Sequence, residues 1–152
     1  MSIDDRLAEL GIELPSPPQP VASYVPVVVA GNLAFVAGQG ALIEGEVLHP
    51  GHVGGDVTVE QAQEAAGRCA LQVLAALKEE LGSLDRVRRI ANVTVYVASA
   101  PGFVQQPAVA NGASDLFIEV FGDAGRHARA AVGVAELPLG LSVEVAVVAE
   151  VG

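Results

Sequence analysis

The stretch HARAAVGVAELPLGLSVEVAVVAE, residues 127 to 150, carries the pattern that decides the fold. It consists of two short runs of small and β-branched apolar residues, a composition typical of strands that are at least half buried. Arg129 interrupts the first run, with an alanine on either side. An unpaired charge buried in a sheet costs several kcal/mol even after relaxation. The sequence therefore predicts that Arg129 has a partner, which is either an acidic side chain of the protein or a ligand.

The two runs are predicted to pair as a terminal hairpin. Side chains alternate between faces along a strand, so Arg129 shares its face with residues 131 and 133, and Glu144 shares its face with residues 146, 148 and 150. With a turn centred near residues 136 and 137, Arg129 faces Glu144 directly, and a shift of two residues leaves them diagonal neighbours. Glu144 is therefore the candidate acidic partner. From the residues alone a structural ion pair and a ligand-binding arginine are both open, and the ion pair is favoured.

Upstream, the stretch SYVPVVVAGNLAFVAGQGAL predicts an N-terminal hairpin. Its turn is Gly31-Asn32, because these two residues tolerate the positive φ that a two-residue hairpin turn requires. Extending the pairing back along both strands places Tyr24 opposite Gln39 and beside Gly38.

Two long helices are predicted between the hairpins. The first begins at a capping box, TVEQ at residues 58 to 61, and its apolar side chains recur at helical intervals as far as Gly82. The second follows a strand over about residues 87 to 98 and ends near Gly122. This order of strands and helices favours an α+β sandwich, in which a mostly antiparallel sheet carries two long helices on one face.

The final two strands are apolar at both odd and even positions. A sheet that is apolar on both faces needs cover on both, and one chain with two long helices can cover only one. The sequence therefore predicts that another subunit covers the second face.

The first twenty residues are predicted to form a separate N-terminal segment. Ile3, Leu7 and Leu10 recur at helical spacing, and the proline-rich sequence PSPPQP follows as a stiff connector. The predicted organisation is residues 1–20 as a helix and connector and residues 21–152 as one domain.

Composition limits the classes of function. The chain has 152 residues, 51% hydrophobic and 17% charged, which suits one domain with a sizeable core. Its net charge of -10 disfavours nucleic acid and anionic membrane surfaces as partners, since both attract basic proteins. A single cysteine, Cys69, and the lack of a visible targeting segment predict a cytoplasmic protein.

The histidines and the cysteine do not indicate a metal or a nucleophile. His49 and His52 stand three apart in a glycine-rich loop, which is too few ligands for a metal site, and they are predicted to be solvated. Cys69 falls on the apolar stripe of the first long helix and is predicted to lie in the core.

The final stretch, HARAAVGVAELPLGLSVEVAVVAE, resembles the C-terminal signature of the RidA/YjgF family, also called the L-PSP endoribonucleases. YVPVVVAGNLAFVAGQ is similar to the family's N-terminal hairpin, and the resemblance covers roughly residues 21 to 151, closest to a side branch with a longer N-terminus. It implies a chorismate-mutase-like fold and a homotrimer with three ligand clefts between subunits. The implied reaction is hydrolysis of reactive enamine or imine intermediates to 2-keto acids and ammonia, which requires no metal or organic cofactor.

The resemblance also assigns site residues. Arg129 matches the strand arginine that holds a substrate carboxylate, and Glu144 matches the acidic residue that positions the attacking water. Tyr24 and Gly38 match positions on the neighbouring wall of the cleft, and Asn111 matches a ligand-contacting asparagine. The residue types suit the chemistry, because a guanidinium offers a carboxylate two parallel donors and an imine needs orientation more than strong acid-base catalysis.

Three departures from the family pattern bear on activity. Ala37 stands where many family deaminases have serine, Ala131 stands where many have cysteine, and the segment between Asn111 and Arg129 is one residue longer. Three functions follow as hypotheses: an enamine/imine deaminase, a trimeric carboxylate-binding protein without turnover, and a ribonuclease. The acidic balance and the absence of a basic, aromatic-lined face count against the ribonuclease.

Overall fold

The computed structural model describes residues 1 to 19 and 22 to 152. Pro20 and Val21, between which the predicted boundary of the N-terminal segment falls, lie outside the described residues. The helices and strands are α1 Ile3–Glu9, β1 Val27–Ala30, β2 Leu33–Gly40, β3 Leu42–Ile43, β4 Glu46–Val47, α2 Val59–Leu81, β5 Val87–Ala98, α3 Gln106–Phe121, β6 Ala128–Val134 and β7 Val143–Val151.

The first two helices both begin at a residue whose side chain caps the helix. At α1 the Ser2 hydroxyl accepts a hydrogen bond from the Asp5 N–H. At α2 the side chains of Thr58 and Gln61 form both bonds of the capping box, and Gly82 ends the helix in the left-handed conformation. The predicted capping box and the predicted end of α2 are confirmed, since each depends on a local signal.

The N-terminal hairpin closes at the predicted two-residue turn, but its strands pair over a shorter length than expected. The last bond of this ladder runs from the Ala37 N–H to the Pro26 carbonyl, at 2.8 Å. Proline has no N–H with which to return a bond, so the pairing ends there. Tyr24 lies ahead of β1 and is 52% exposed, and the prediction that it lies opposite Gln39 is wrong.

Five strands form one sheet in the order β1-β2-β7-β5-β6. Three of its four pairings are antiparallel and the pairing of β5 with β6 is parallel. Helix α2 packs on β2 and β7, and α3 packs on β5 and β6. The predicted fold class, a mostly antiparallel sheet with two long helices on one face, is confirmed.

The predicted terminal hairpin is wrong, because β5 lies between β6 and β7. Helix α3 carries the chain back from the end of β5, so β6 runs parallel to β5 in a β-α-β unit. Along β7 the side chains are alternately buried and half-buried, which suits a central strand. Strand β6 is short and rich in alanine, and it takes the edge of the sheet.

This topology separates the two charged residues that the hairpin would have joined. Arg129 is in register with Val93 of β5, and Glu144 is in register with Tyr96. Val93 and Tyr96 stand three apart in a regular stretch of the strand, so they point to opposite faces. Arg129 therefore lies on the helix-covered face and Glu144 on the open face, and the predicted contact between them within one chain is wrong.

The open face of the sheet is apolar. Val28, Phe35 and Val132 lie on it and are 51%, 45% and 41% exposed. Ala146 and Val148 lie between them on β7 and are half-buried. The single chain therefore leaves an apolar sheet face open to solvent, as the sequence of the final strands predicted.

None of the helices in the two described ranges is both long and apolar enough to cross a bilayer.

We expect Gly112→Ala to destabilise the fold by about 1 to 3 kcal/mol, because α2 and α3 pack closely at this glycine. A Cβ at Gly112 would collide with the Gln63 carbonyl oxygen and lie 2.8 Å from its carbon. The matched control is Gly67→Ala in α2, whose Cβ would lie 3.5 Å from the Gly112 carbonyl oxygen, an ordinary contact. Urea unfolding should show a loss for Gly112→Ala and none for Gly67→Ala, and equal stabilities would contradict the packing described.

Candidate functional site

Arg129 projects from the edge strand β6 and contacts helix α3. Its Nη1 donates hydrogen bonds to Asn111 Oδ1 at 2.8 Å and to Ser114 Oγ at 3.2 Å. The two acceptors stand three apart on α3 and so share one side of the helix. These two bonds use both hydrogens of Nη1. The structure thus places Asn111 against Arg129.

The other edge of the same guanidinium is free. Among residues 1–19 and 22–152, no group accepts a hydrogen bond from Arg129 Nε or Nη2. The hydrogens on these two nitrogens are parallel and match the two oxygens of a carboxylate. Arg129 is therefore anchored at one nitrogen and open to an anion along its remaining edge.

The hydrogen bonds that hold Arg129 continue from Ser114 to His127, and neither of these two residues was predicted to belong to the site. His127 Nδ1 lies 2.6 Å from the Gly125 carbonyl oxygen, and His127 Nε2 lies 2.8 Å from Ser114 Oγ. A carbonyl can only accept, so Nδ1 carries the proton and Nε2 accepts from the Ser114 hydroxyl. Only their spacing from the predicted site residues points to them: Ser114 stands one helical turn after Asn111, and His127 stands two residues before Arg129, where side chains of an extended chain point to the same side.

These side chains surround a shallow pocket of about 250 Å³. Its lining residues are Asn111, Ser114, Asp115, Ile118, Arg126, His127 and Arg129. A larger groove of about 510 Å³ lies between α1, the connector and α2. The charged groups Lys78 and Asp4 of that groove pair with each other at 3.1 Å, so the pocket at Arg129 is the better candidate for an anion.

Glu144 and Gly38 form a second group of residues, on the open face of the sheet. A Cβ at Gly38 would collide with Glu144 Oε2 and lie 2.8 Å from its Cδ, so the carboxylate lies directly over this glycine. The register of β2 against β7 shifts between Val36 and Gln39, which places Gly38 in a bulge. Burial raises the pKa of the Glu144 carboxyl above its usual range. No hydrogen-bond donor or cation pairs with this carboxylate among the residues described.

The predicted site residues therefore fall into separate groups within one chain. Arg129 and Asn111 meet on the helix-covered side of the sheet edge, and Glu144 and Gly38 meet on the open face. Tyr24 is exposed ahead of β1, and its side chain makes no hydrogen bond to either group among the residues described.

The structure also locates the cysteine and one of the loop histidines considered from the sequence. Cys69 is fully buried and its thiol donates to the Val143 carbonyl at 3.5 Å, so its predicted place in the core is confirmed. The prediction that His52 is solvated is confirmed, since its side chain is 38% exposed, and its Nε2 also contacts the Ala135 carbonyl at 2.9 Å and Glu136 at 3.1 Å. No group of three His, Cys, Asp or Glu side chains suited to a metal ion occurs in the described ranges.

We expect the His127 ring to make the folded protein more stable at neutral than at mildly acidic pH. Burial and the charge of Arg129 lower the pKa of His127 below 6.5, against an opposing effect of the Gly125 carbonyl. Between the lowered pKa and 6.5 the unfolded chain binds a proton that the folded chain does not. This stabilisation is complete above pH 6.5 and is lost as the pH falls through the lowered pKa.

The measurement is urea unfolding of wild type and His127→Gln from neutral to mildly acidic pH. The raised pKa of His52 acts in both proteins and cancels in the difference. The stability of wild type relative to the variant should decrease as the pH falls, and a constant or increasing difference would contradict a neutral His127.

The architecture is that of the chorismate-mutase-like class of α+β proteins, with an anchored arginine at the sheet edge and a carboxylate on the opposite face. The family model described as "YjgF/chorismate_mutase-like, putative endoribonuclease" matches residues 4–151. The chain belongs to this family, and the resemblance drawn from the sequence is confirmed.

Individual relatives resemble this protein over most of its length. Protein TCP17 of Trypanosoma cruzi is 47% identical over 141 residues, which cover 92% of this chain and 88% of that protein. A crystal structure of a protein of unknown function from Agrobacterium tumefaciens is 46% identical with a TM-score of 0.92, covering 99% of this chain and 94% of that one. A RutC family protein of Pyrococcus abyssi is 29% identical over 132 residues, covering 87% of this chain and 89% of that protein.

Proposed function

We propose that this protein hydrolyses reactive enamine or imine intermediates of amino acids to 2-keto acids and ammonia, in clefts between the subunits of a homotrimer. The observation that carries the proposal is the guanidinium of Arg129. One of its nitrogens is held by Asn111 and Ser114, and its Nε and Nη2 have no acceptor among the residues described. The Nε/Nη2 edge of this guanidinium can therefore bind the carboxylate that every one of these substrates carries.

The reaction needs little from the protein beyond orientation and one proton carrier. Water adds to the carbon of the C=N bond, a proton moves to nitrogen, and the C–N bond breaks to release ammonia and leave the keto group. Glu144 suits the role of carrier, because its carboxylate is half-buried and burial raises its pKa toward the working pH. Neither a metal nor an organic cofactor enters this scheme.

The positions of the two groups support a cleft that two subunits share. Arg129 and Glu144 lie on opposite faces of one sheet, so the two residues of a single chain are not placed to act on one small ligand. The apolar open face and the unpaired edge of β6 are surfaces on which a second subunit can pack. In the proposed cleft, one subunit supplies Arg129 and Asn111, and its neighbour supplies Glu144, Gly38 and the exposed Tyr24.

The direct test is ammonia release from imines that an amino-acid oxidase generates in situ, measured across several side chains. Addition of the protein should accelerate the release of ammonia beyond the uncatalysed rate. No acceleration with any imine would contradict the enzymatic function.

One observation favours a second candidate, a trimeric carboxylate-binding protein without turnover. Ala37 stands in the bulge beside Gly38 and has no hydroxyl to offer a ligand. Binding of 2-keto acids without any ammonia release would support this candidate. The third candidate, a ribonuclease, is disfavoured by the net charge of -10, because phosphate backbones bind basic surfaces.

We expect the protein to sediment as a trimer at micromolar concentration and Phe35→Glu to sediment as a monomer. Phe35 lies on the apolar open face and is 45% exposed in the single chain, so a charge there would be buried on assembly. The matched control is Ile43→Glu, since Ile43 is 43% exposed but lies on the separate β3–β4 hairpin. A monomeric wild type would contradict the shared cleft.

A further inference from the structure

Ser114 and His127 complete a chain of hydrogen bonds that runs from Arg129 to the backbone carbonyl of Gly125. We propose that Ser114 and His127 are positioning residues, which fix Arg129 Nη1 against α3 and thereby hold the Nε/Nη2 edge in place for the ligand carboxylate. This inference rests on the proposed carboxylate site at Arg129 and adds two residues to it.

The direction of each bond in the chain follows from its fixed end. The Gly125 carbonyl accepts the proton of His127 Nδ1, which leaves Nε2 as an acceptor. The Ser114 hydroxyl therefore donates to Nε2, and its oxygen is free to accept from Arg129. Without His127 the serine hydrogen has no fixed acceptor and can rotate toward the guanidinium, where it would oppose the bond. His127 thus determines that Ser114 acts as an acceptor for Arg129.

The burial of Ser114 makes its hydrogen bond with Arg129 difficult for water to replace. Ser114 is only 7% exposed, so water cannot readily replace the acceptor that it provides. Arg129 is exposed on the edge strand and has a long side chain with many rotamers. Fixing one nitrogen before the ligand arrives reduces the ordering that binding would otherwise require.

A serine hydroxyl bonded to a histidine also occurs in nucleophilic catalysis, but the setting here differs. Ser114 lies within α3 and is almost fully buried. Its oxygen accepts a hydrogen bond from a cation, which withdraws electron density from the atom that would have to attack. The geometry therefore favours positioning over nucleophilic attack.

The test compares two ligands of nearly the same shape, 2-oxobutanoate and 2-oxobutanamide, by titration calorimetry; only the first offers a guanidinium two negatively charged acceptor oxygens. Wild type should prefer the acid. Ser114→Ala should weaken binding of the acid by about three- to tenfold and leave binding of the amide unchanged, because one acceptor of Arg129 is lost. His127→Asn, too short to reach Ser114, should behave in the same way. His127→Gln, which can place an acceptor near the position of Nε2, should restore the preference.

The outcomes separate this inference from the function on which it rests. A wild-type protein that does not prefer the acid overturns both the carboxylate site and the positioning role. Wild-type preference that persists unchanged in Ser114→Ala overturns the positioning role alone. A purely structural role would weaken both ligands equally or lower only the melting temperature, which is measured for every variant, and it would also overturn the inference. Ser114→Ala removes a single atom and decides the test if the His127 variants fail to fold.

Discussion

Arg129→Lys is expected to weaken 2-keto-acid binding by about 1 to 3 kcal/mol, roughly 5- to 150-fold, while the assembly and the positive charge are kept. The ammonium group of lysine cannot present two parallel donors to a carboxylate. It also cannot reproduce the geometry in which Nη1 is held by Asn111 and Ser114. Arg129→Ala should weaken binding further, because it removes the positive charge as well as every donor to the carboxylate.

Calorimetry of the acid and melting temperatures of both variants are the readouts for Arg129. The variants should melt close to wild type, since Arg129 is exposed and makes no salt bridge among the residues described. Unchanged affinity in Arg129→Ala, in a protein whose wild type binds such acids, would rule out the ligand role. Loss of the assembly in both variants would instead indicate that Arg129 is an interface residue.

Glu144→Gln is expected to lower kcat for imine hydrolysis by about 10²- to 10⁴-fold with a small change in KM. Glutamine has nearly the same shape as glutamate, but it cannot take up or return the proton that must reach the nitrogen. In the proposed cleft the neighbouring subunit's Arg129 binds the substrate carboxylate, so KM should stay within a few-fold of wild type.

The matched control is Glu150→Gln, which removes the other carboxylate on the same face of β7. Glu150 accepts a hydrogen bond from Asn32 at 3.5 Å and lies away from Gly38, so its loss should leave kcat unchanged. Equal kcat in wild type and Glu144→Gln would exclude Glu144 as the proton carrier.

Much of the fold could be predicted because the relevant signals are local. The capping box at Thr58 and the glycine at residue 82 define α2 without reference to the rest of the chain. The order of strands in the sheet is not local. The terminal hairpin was predicted because strands that follow one another along the chain usually pair, whereas here the β-α-β unit places β5 between β6 and β7.

The candidate site was predicted residue by residue, but not in its arrangement. Arg129 and Glu144 stand out as charges in apolar strands, and the error in strand order placed them together. Ser114 and His127 carry no such signal, since a serine in a helix and a histidine before a strand are ordinary in sequence. Only the packing of α3 against β6 brings both residues to Arg129.

The central claim is that one cleft takes Arg129 from one subunit and Glu144 from the next, and subunit mixing tests it most directly. Arg129→Ala and Glu144→Gln are coexpressed with different tags, and mixed trimers form at random. In a shared cleft, each mixed trimer contains one site with both native residues. The population should then recover about a quarter of wild-type ammonia release, although each variant alone is inactive. No recovery in purified mixed trimers would contradict the shared cleft and place both residues in one subunit's site.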